Sequence, residues 1–349
     1  MPRRSNRNAC RGATIAHPIR VTAKKVQRFL TLGAFSLNTL WRSILTVFLT
    51  EQIDEQTTVY VAIDRTTWRE VNLLMASVVW RGRAIPLYWQ LMTNLGNSNY
   101  AEQTELLSEA LPILCAYKVV VLGDREFCSV DLARWLGNQG YGFCLRQKKS
   151  TWMKTTDKAW ERLSEVGLQP GSQCFYNAVT LTKSKGFGKA HLAGKWKRRY
   201  YGFAPDEPWF ILTNLDTLDE AIKAYQKRFD IEEMFRDFKA GGYSLERCRA
   251  QGRRFLAIIL LISIAYLCAT ARGQTFKRRA LQKYIARPER YDQPDRRHSA
   301  FHVGLAAYRW VPFWPRCQQQ VFELLAIDRN KIRYHLKGLK AMNAVLITS

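Results

Sequence analysis

The sequence predicts an α/β fold in which a mixed β-sheet is flanked by helices. Short runs rich in β-branched apolar residues, at 58–63 and 119–123, are typical of strands that are largely buried. Between them, residues 102–117 place apolar side chains at helical spacing. Strands alternating with helices indicate a sheet covered by helices, and a chain of 349 residues is long enough to bury such a core.

Seven elements can be placed in order along the first half of the chain. The predicted strands cover 58–63, 71–80, 84–92, 119–123 and 141–146, and the predicted helices cover 102–117 and 129–138. Arg81-Gly82-Arg83 separates the second and third strands, so we expect the first three strands to form an antiparallel meander. Three strands, a helix, a strand, a helix and a strand are the order of a ribonuclease-H-like sheet.

Two aspartates follow predicted strands. Asp64 comes directly after the first strand, and Asp124 comes directly after the fourth. A carboxylate at the end of a buried strand lies at the edge of the sheet, where α/β proteins place their sites. Asp is also common after strands because it favours turns. For either aspartate alone the turn interpretation stays open, whereas two aspartates and a later glutamate together favour a shared site.

That glutamate, Glu232, lies in a segment that is predicted to be helical, residues 224–240. With 3.6 residues per turn, Tyr225, Glu232 and Lys239 are expected in one row, about 10 Å apart along the axis. Arg228 lies four residues before Glu232 and joins the same face. One carboxylate among cationic groups is suited to hold a metal ion and a phosphodiester together. The alternative is that these cations only pair with neighbouring acids on a solvated helix face.

The spacing Tyr-x2-Arg-x3-Glu-x6-Lys resembles the signature of the IS-four type family of bacterial insertion-sequence DDE transposases. Asp64 in Ile-Asp-Arg-Thr-Thr-Trp and Asp124 in Gly-Asp-Arg-Glu-Phe are similar to the first and second acids of that family. The resemblance covers about residues 57–249 and includes all the catalytic positions. It implies DNA transposition, with cutting and joining of DNA at the ends of the element.

The resemblance also implies a role for each residue. Asp64, Asp124 and Glu232 would be the catalytic acids and would hold two Mg²⁺ ions, for which Mn²⁺ would substitute. The ions would activate water to cut a phosphodiester, and the freed 3′ hydroxyl would then attack a second phosphodiester without a covalent enzyme–DNA link. Arg228 and Lys239 would contact backbone phosphates near the cut.

Two aromatic residues complete the expected DNA-binding set. Tyr225 would hydrogen-bond or pack beside the cut DNA. Trp209 begins a predicted strand, 209–214, which leads to the capping-box sequence Thr217-Leu218-Asp219-Glu220. In relatives, a Trp at the start of the matching strand stacks on a base that is flipped out when the DNA end forms a hairpin. The alternative for Trp209 is a core side chain, the commoner use of this residue.

Residues 147–208 interrupt the ribonuclease-H-like order. They contain a predicted strand at 173–182, a basic turn at 183–189 and a basic aromatic strand at 196–201. The resemblance implies a β-rich insertion before the helix that carries Glu232. We interpret the basic turn as facing DNA, although a charge run is more often a solvated loop.

The charge favours a nucleic-acid partner. Lys and Arg exceed Asp and Glu by 54 − 29 = +25, and the sequence pI is about 10.0. DNA phosphates are the natural counter-charge, so binding should weaken with salt. An RNA-associated or membrane-surface protein is the alternative.

Eight cysteines without paired spacing are expected to be reduced, with no zinc site, and His298 and His302 are expected to be a solvated pair.

We expect four regions. Residues 1–56 are a basic helical segment that looks short for a domain recognising terminal inverted repeats, and 57–146 with 209–272 form the catalytic core. Residues 147–208 are the insertion, and 273–349 a basic helical region that could pair subunits or bind DNA. The apolar run 255–271 is expected to be a buried helix rather than a membrane span. Without an apolar N-terminal signal, we expect a cytoplasmic, nucleoid-associated bacterial protein.

The overall hypothesis is a dimeric, metal-dependent transposase that acts on double-stranded DNA, at the terminal inverted repeats and the target. Two alternatives stay open. One is a non-catalytic DNA-binding remnant of such an element, and the other is a ribonuclease-H-like nuclease that cuts DNA but does not join it.

Overall fold

A computed structural model describes residues 24–25, 27–31, 36–156, 159–202, 207–285, 298–310, 326 and 329–348. Most of the first 35 residues, including Cys10, and residues 286–297 and 311–325, including Cys317, lie outside the described residues. The predicted basic helical regions at 1–56 and 273–349 are therefore covered only in part.

The described strands form one ten-stranded mixed sheet. They are β1 (Val59–Trp68), β2 (Val71–Trp80), β3 (Arg83–Leu91), β4 (Val119–Gly123), β5 (Gly142–Arg146), β6 (Trp152–Lys154), β7 (Glu161–Arg162), β8 (Gln173–Leu181), β9 (Phe187–Lys195) and β10 (Trp209–Thr213). Their order is β3-β2-β1-β4-β5-β10-β9-β8-β6-β7. β1 to β3 are antiparallel neighbours, whereas β4 and β5 run parallel to β1. This topology confirms the predicted ribonuclease-H-like α/β fold.

Helices flank the sheet. They are α1 (Leu37–Gln52), α2 (Tyr100–Ala110), α3 (Val130–Asn138), α4 (Leu218–Gln226), α5 (Phe229–Arg236), α6 (Gly252–Arg278), α7 (Gln282–Ile285), α8 (Ala300–Trp310) and α9 (Ile332–Thr348). Their starts follow local chemistry, as at α4, where the Thr217 hydroxyl accepts a hydrogen bond from the Glu220 N–H at 3.3 Å. The predicted start of this helix is therefore confirmed.

The N-terminal helix α1 is part of the main core. Trp41 is buried, and its indole N–H donates to the Pro86 carbonyl at 3.2 Å. Phe48 packs edge-on against Trp80 with ring centroids 5.0 Å apart. These contacts place α1 against β2 and β3, so residues 37–52 stabilise the sheet that carries the acids.

The insertion continues the same sheet through β10. Its predicted strand at 173–182 is confirmed by β8, but the strand predicted at 196–201 is wrong. The reason is the register, because Lys195 of β9 pairs with both Gln173 and Trp209, the first residues of its two neighbours. Beyond Lys195 neither neighbouring strand extends further. Trp196 still bonds to Ser172 and Gly171 through its backbone, but of residues 196–201 only Tyr200 is a bridge residue.

The apolar run lies in α6, which crosses α8 at very close range. A β-carbon at Gly273 would lie 1.7 Å from the Ala300 carbonyl oxygen, and one at Gly304 would lie 1.8 Å from the Ala269 oxygen. Only glycine permits this approach. Among the described helices, α6 alone is long and apolar enough to cross a membrane, and 56% of its apolar window is buried in the fold.

Candidate active site

Asp64 and Asp124 lie side by side on neighbouring parallel strands. The last paired residues of β1 and β4 are Ile63 and Gly123, and each acid directly follows one of them. Neighbouring strands are about 4.8 Å apart. The expectation that Asp64 follows the end of its strand is wrong in one respect, since β1 continues to Trp68. Past Ile63, β1 pairs with β2 alone, so Asp64 still lies at the edge of the parallel part of the sheet.

Each aspartate is oriented by a backbone N–H just after it. Oδ1 of Asp64 accepts from the Arg65 N–H at 2.8 Å, and Oδ1 of Asp124 accepts from the Glu126 N–H at 2.8 Å. The Asp124 bond also starts the short 3₁₀ turn Arg125–Phe127. In both residues the second carboxylate oxygen, Oδ2, does not take part in these local hydrogen bonds.

The side chains of Arg65 and Glu126 bind each other. Nε of Arg65 lies 3.0 Å from both carboxylate oxygens of Glu126. Glu126 also accepts from the Ser98 N–H at 2.8 Å and from its hydroxyl at 2.7 Å. Arg65 donates further to Asn72 at 3.1 Å. Sequence reasoning missed this clamp, although the Asp-Arg and Asp-Arg-Glu sequences after the two strands were visible.

The segment with Tyr225, Arg228, Glu232 and Lys239 is not one continuous helix, so the predicted single row is wrong. Helix α4 ends at Gln226 and α5 begins at Phe229. Between them the backbone bonds tighten to i→i−3, for example Arg228 N–H to Tyr225 O at 3.0 Å. After α5, the π-turn Asp237–Gly241 has non-helical angles at Lys239.

Arg228 lies between two of the three acids. Its Nη1 is 3.7 Å from Oδ2 of Asp64, and its Nη2 is 2.5 Å from Oε1 of Glu232. Arg228 is only 4% exposed, and its Nε is buried without a hydrogen-bond partner among the described residues. The structure therefore brings Glu232 to the same guanidinium as Asp64 despite the break in the helix.

The electrostatics of Asp64 show that the acids influence one another. Burial raises the pKa of Asp64 to about 7, and Arg228 opposes this increase. The charges of Asp124 and Glu232 raise the pKa further. Asp64 and Glu232 thus face the same buried guanidinium, and Asp124 lies close enough to raise the pKa of Asp64.

Lys239 and the aromatic residues have other partners. Nζ of Lys239 lies 3.5 Å from Oε1 of Glu246. Trp209 is 8% exposed and packs against the rings of Tyr225 and Phe229, with centroids 5.2 and 5.7 Å away. The Tyr225 hydroxyl is buried close to Arg228 without a hydrogen bond of normal geometry. These positions fit the core interpretation of Trp209.

A cavity of about 500 Å³ opens beside the acids and is lined by Asp64, Arg65, Glu232, Arg236 and Lys239 together with neighbouring residues. We compared the chain that forms this cavity with known protein families. The family model described as a transposase DDE domain matches residues 56–268. The chain belongs to the transposase DDE-domain family. This DDE domain contains the three acids and the whole ten-stranded sheet.

The chain with the DDE domain is similar to solved structures at low identity. One is a piggyBac transposase synaptic complex with hairpin DNA, at 12% identity and a TM-score of 0.39, covering 86% of this chain and 60% of that chain. Another is Marinitoga piezophila Argonaute in complex with 5′ OH guide RNA and target DNA, at 11% identity and a TM-score of 0.25, covering 61% of this chain and 30% of that chain. The chain thus spans 60% of the piggyBac transposase chain. No curated protein matches it.

The acids of the DDE domain suit a divalent cation by chemistry. Carboxylate oxygens are the ligands that Mg²⁺ and Mn²⁺ prefer. Asp64 and Glu232 share one guanidinium, and Asp124 adds a further carboxylate nearby, so a divalent cation would neutralise excess negative charge. As arranged, no group of three His, Cys, Asp or Glu side chains in the described part of the chain could hold an ion, and Glu232 bonds to Arg228.

Proposed function

We propose that this protein is a DNA transposase of the IS-four type that cuts DNA at the ends of an insertion sequence and joins the freed ends to a target. The observation that carries the proposal is the meeting of three acids from three elements. Asp64 on β1 and Asp124 directly after β4 occupy neighbouring positions, and Glu232 shares the buried Arg228 with Asp64. The family match supports the same chemistry.

Asp64, Asp124 and Glu232 would hold two Mg²⁺ ions, or Mn²⁺ in their place. When bound, such ions activate water and stabilise the leaving 3′ oxygen of a phosphodiester. The protein's own contribution is to fix the carboxylates. The Arg65 and Glu126 N–H groups orient the two aspartates.

The cations of the site would bind the DNA backbone. Arg228 has a planar guanidinium suited to a phosphate, and its buried Nε has no hydrogen-bond partner among the described residues. Lys239 lines the cavity beside Glu232 and would act there as a point charge. Tyr225 would support Arg228 by packing under it, with the guanidinium carbon 5.8 Å from the ring centre. Trp209 could stack on a flipped base only after moving away from Tyr225 and Phe229.

The proposed partners are double-stranded DNA, as terminal inverted repeats and target, and a second copy of the chain in the DNA complex. The formal charge of +25 supports a DNA partner. We place the protein in the bacterial cytoplasm, associated with the nucleoid.

The test is an assay with Mg²⁺ or Mn²⁺ on DNA that carries the sequences bracketing the gene. Cutting followed by joining to a second DNA supports the transposase. Cutting alone identifies a nuclease without strand transfer, and binding alone identifies a non-catalytic remnant. An EDTA-treated sample is the control, in which both cutting and joining should stop.

A further inference from the structure

A second groove lies beside the cavity that Asp64 and Glu232 line. It has a volume of about 440 Å³, and Trp68, Arg69, Arg249, Gly252 and Phe255 are among the residues that line it. We call it the Trp68 groove. None of these residues belongs to the expected set of acids and DNA-binding residues, so the groove needs its own explanation.

The Trp68 groove continues along the strand that carries Asp64. Asp64 and Trp68 are four residues apart on β1 and therefore point to the same face of the sheet. At 3.3 Å per residue they are about 13 Å apart, which equals about four base-pair steps of B-DNA at 3.4 Å each. Lys239 connects the two spaces, since it lines the first and its Nζ lies 5.4 Å from the Trp68 ring.

The charge at the Trp68 groove is positive. Arg69 and Arg249 are exposed and have no carboxylate partner among the described residues. Arg247 and Arg254, nearby in the chain, are also exposed. Glu70 is the acid among the lining residues. Arginines without acidic partners are suited to bind phosphates through their planar guanidinium groups.

The wall of the groove is aromatic and has an unused donor. Trp68 and Phe255 pack with ring centroids 5.6 Å apart. Trp68 is 9% exposed, and its Nε1 is buried without a hydrogen-bond partner in the described structure. The 27-residue helix α6 starts at Gly252 in the same groove, with no side-chain cap at Gln251. Its first N–H groups have no partner within the helix and favour an anion.

We propose that the Trp68 groove binds one nucleotide of a DNA strand that passes through the active site, about four steps from the cut phosphate. The base packs against Trp68, and the backbone phosphate lies between Arg69, Arg249 and the start of α6. A volume of about 440 Å³ is in the range of small-ligand sites. The inference rests on the proposed function, and the strand comes from either the element's end or the target.

The first test compares Arg69→Ala and Arg249→Ala with Lys118→Ala. Lys118 is exposed and directly precedes β4, so it lies at the opposite end of this strand from Asp124. The probe is a fluorescein-labelled duplex with the sequence bracketing the gene, titrated at rising salt. Each groove variant should bind more weakly than Lys118→Ala and lose about 0.9 from the slope of log K against log salt. Equal slopes in all three variants would overturn the proposal.

The two sources of the strand are separated by activity. If the groove binds the element's end, Arg69→Ala and Arg249→Ala slow both cutting and joining. If it binds target DNA, cutting stays at the wild-type rate and joining slows. Wild-type rates of cutting and joining in both variants would overturn the proposal that the Trp68 groove binds DNA, while leaving the proposed function intact. A wild-type protein that binds no DNA would overturn both.

Photocrosslinking locates the nucleotide directly. The probe is the same duplex with 5-iodouracil placed at successive positions on each strand. A crosslink to the peptide containing Trp68, strongest about four nucleotides from the cut, supports the inference. Crosslinks that form elsewhere on the protein but at no position to this peptide contradict it.

Discussion

Arg65 and Glu126 join the two strands that carry the aspartates. Nε of Arg65 is 3.0 Å from both carboxylate oxygens of Glu126, and the backbone N–H of each residue bonds to one aspartate. The same two residues therefore orient Asp64 and Asp124 and fix the strands relative to each other. The clamp is half-buried, with side-chain exposures of 16% and 12%.

Breaking this clamp should weaken the site without removing an acid from it. We expect Glu126→Gln to slow metal-dependent DNA cutting by about 10- to 100-fold, as for other groups that orient metal ligands. The Mn²⁺ concentration for half-maximal protection against thermal unfolding should rise as well. Asp131→Asn is the control, because Asp131 forms a more exposed ion pair with Arg134 within α3 that does not involve the two aspartates. Unchanged cutting and Mn²⁺ affinity in Glu126→Gln would show that the clamp has no positioning role.

The crossing of α6 and α8 should be intolerant of any side chain at Gly273. A β-carbon there would lie 1.7 Å from the Ala300 carbonyl oxygen, so Gly273→Ala must push the helices apart. We expect a destabilisation of about 2 kcal/mol or more, measured by urea unfolding. Gly338→Ala is the control, since nothing lies within 4 Å of its added carbon. That exposed helical change should stabilise by up to about 1 kcal/mol. Equal effects would contradict the close crossing.

The buried carboxyl of Asp237 should make stability depend on pH. Burial raises its pKa to about 6, opposed by Arg83 and reinforced by Glu233. Because the folded-state value exceeds the ordinary 3.8, ionisation disfavours the fold, and this cost is lost as pH falls through about 6. Relative to Asp237→Asn, the wild type should therefore gain stability as pH drops from about 7 to about 4.

Thermal melts of both proteins across that range test the sign. The control is Asp216→Asn, which removes an exposed carboxyl. A difference between the wild type and Asp237→Asn that does not change with pH would contradict the buried, raised pKa.

Lys239 should contribute to DNA affinity as a single charge. It lines the cavity beside Glu232, and its contact with Glu246 at 3.5 Å is long enough to be exchanged for a phosphate. Lys239→Gln should weaken binding of all DNA sequences alike and reduce the salt slope by about 1. Lys118→Gln is the control, because Lys118 lies at the opposite end of β4 from Asp124. A full wild-type slope in Lys239→Gln would remove this residue from the DNA contact set.

The sheet and the pair of aspartates were predictable because their signals are local. Buried parallel strands require β-branched runs, and acids after such runs in neighbouring strands necessarily approach each other. The break between Tyr225 and Glu232 was not predictable, because a shift from i→i−4 to i→i−3 bonds leaves the residue spacing unchanged. The end of β9 depends on where its neighbours start, which the sequence of β9 does not contain.

The clamp and the close helix crossing were missed for a different reason. Both join residues far apart in the chain, such as Arg65 with Glu126 and Gly273 with Ala300. The sequence around a single arginine or glycine does not indicate which distant residue it will contact. Trp209 was left between two interpretations, since a strand-initial Trp can serve either use, and its packing against Tyr225 became visible only in the structure.

The central claim is that Asp64, Asp124 and Glu232 act together on DNA. The most direct measurement is the rate of Mg²⁺-dependent DNA cutting by the three single alanine variants, alongside DNA affinity in EDTA and the exposed control Glu51→Ala. Each of the three should cut at least about 10²-fold more slowly, with DNA affinity close to that of the wild type and Glu51→Ala fully active. Near wild-type cutting by any one of the three would contradict the shared metal site.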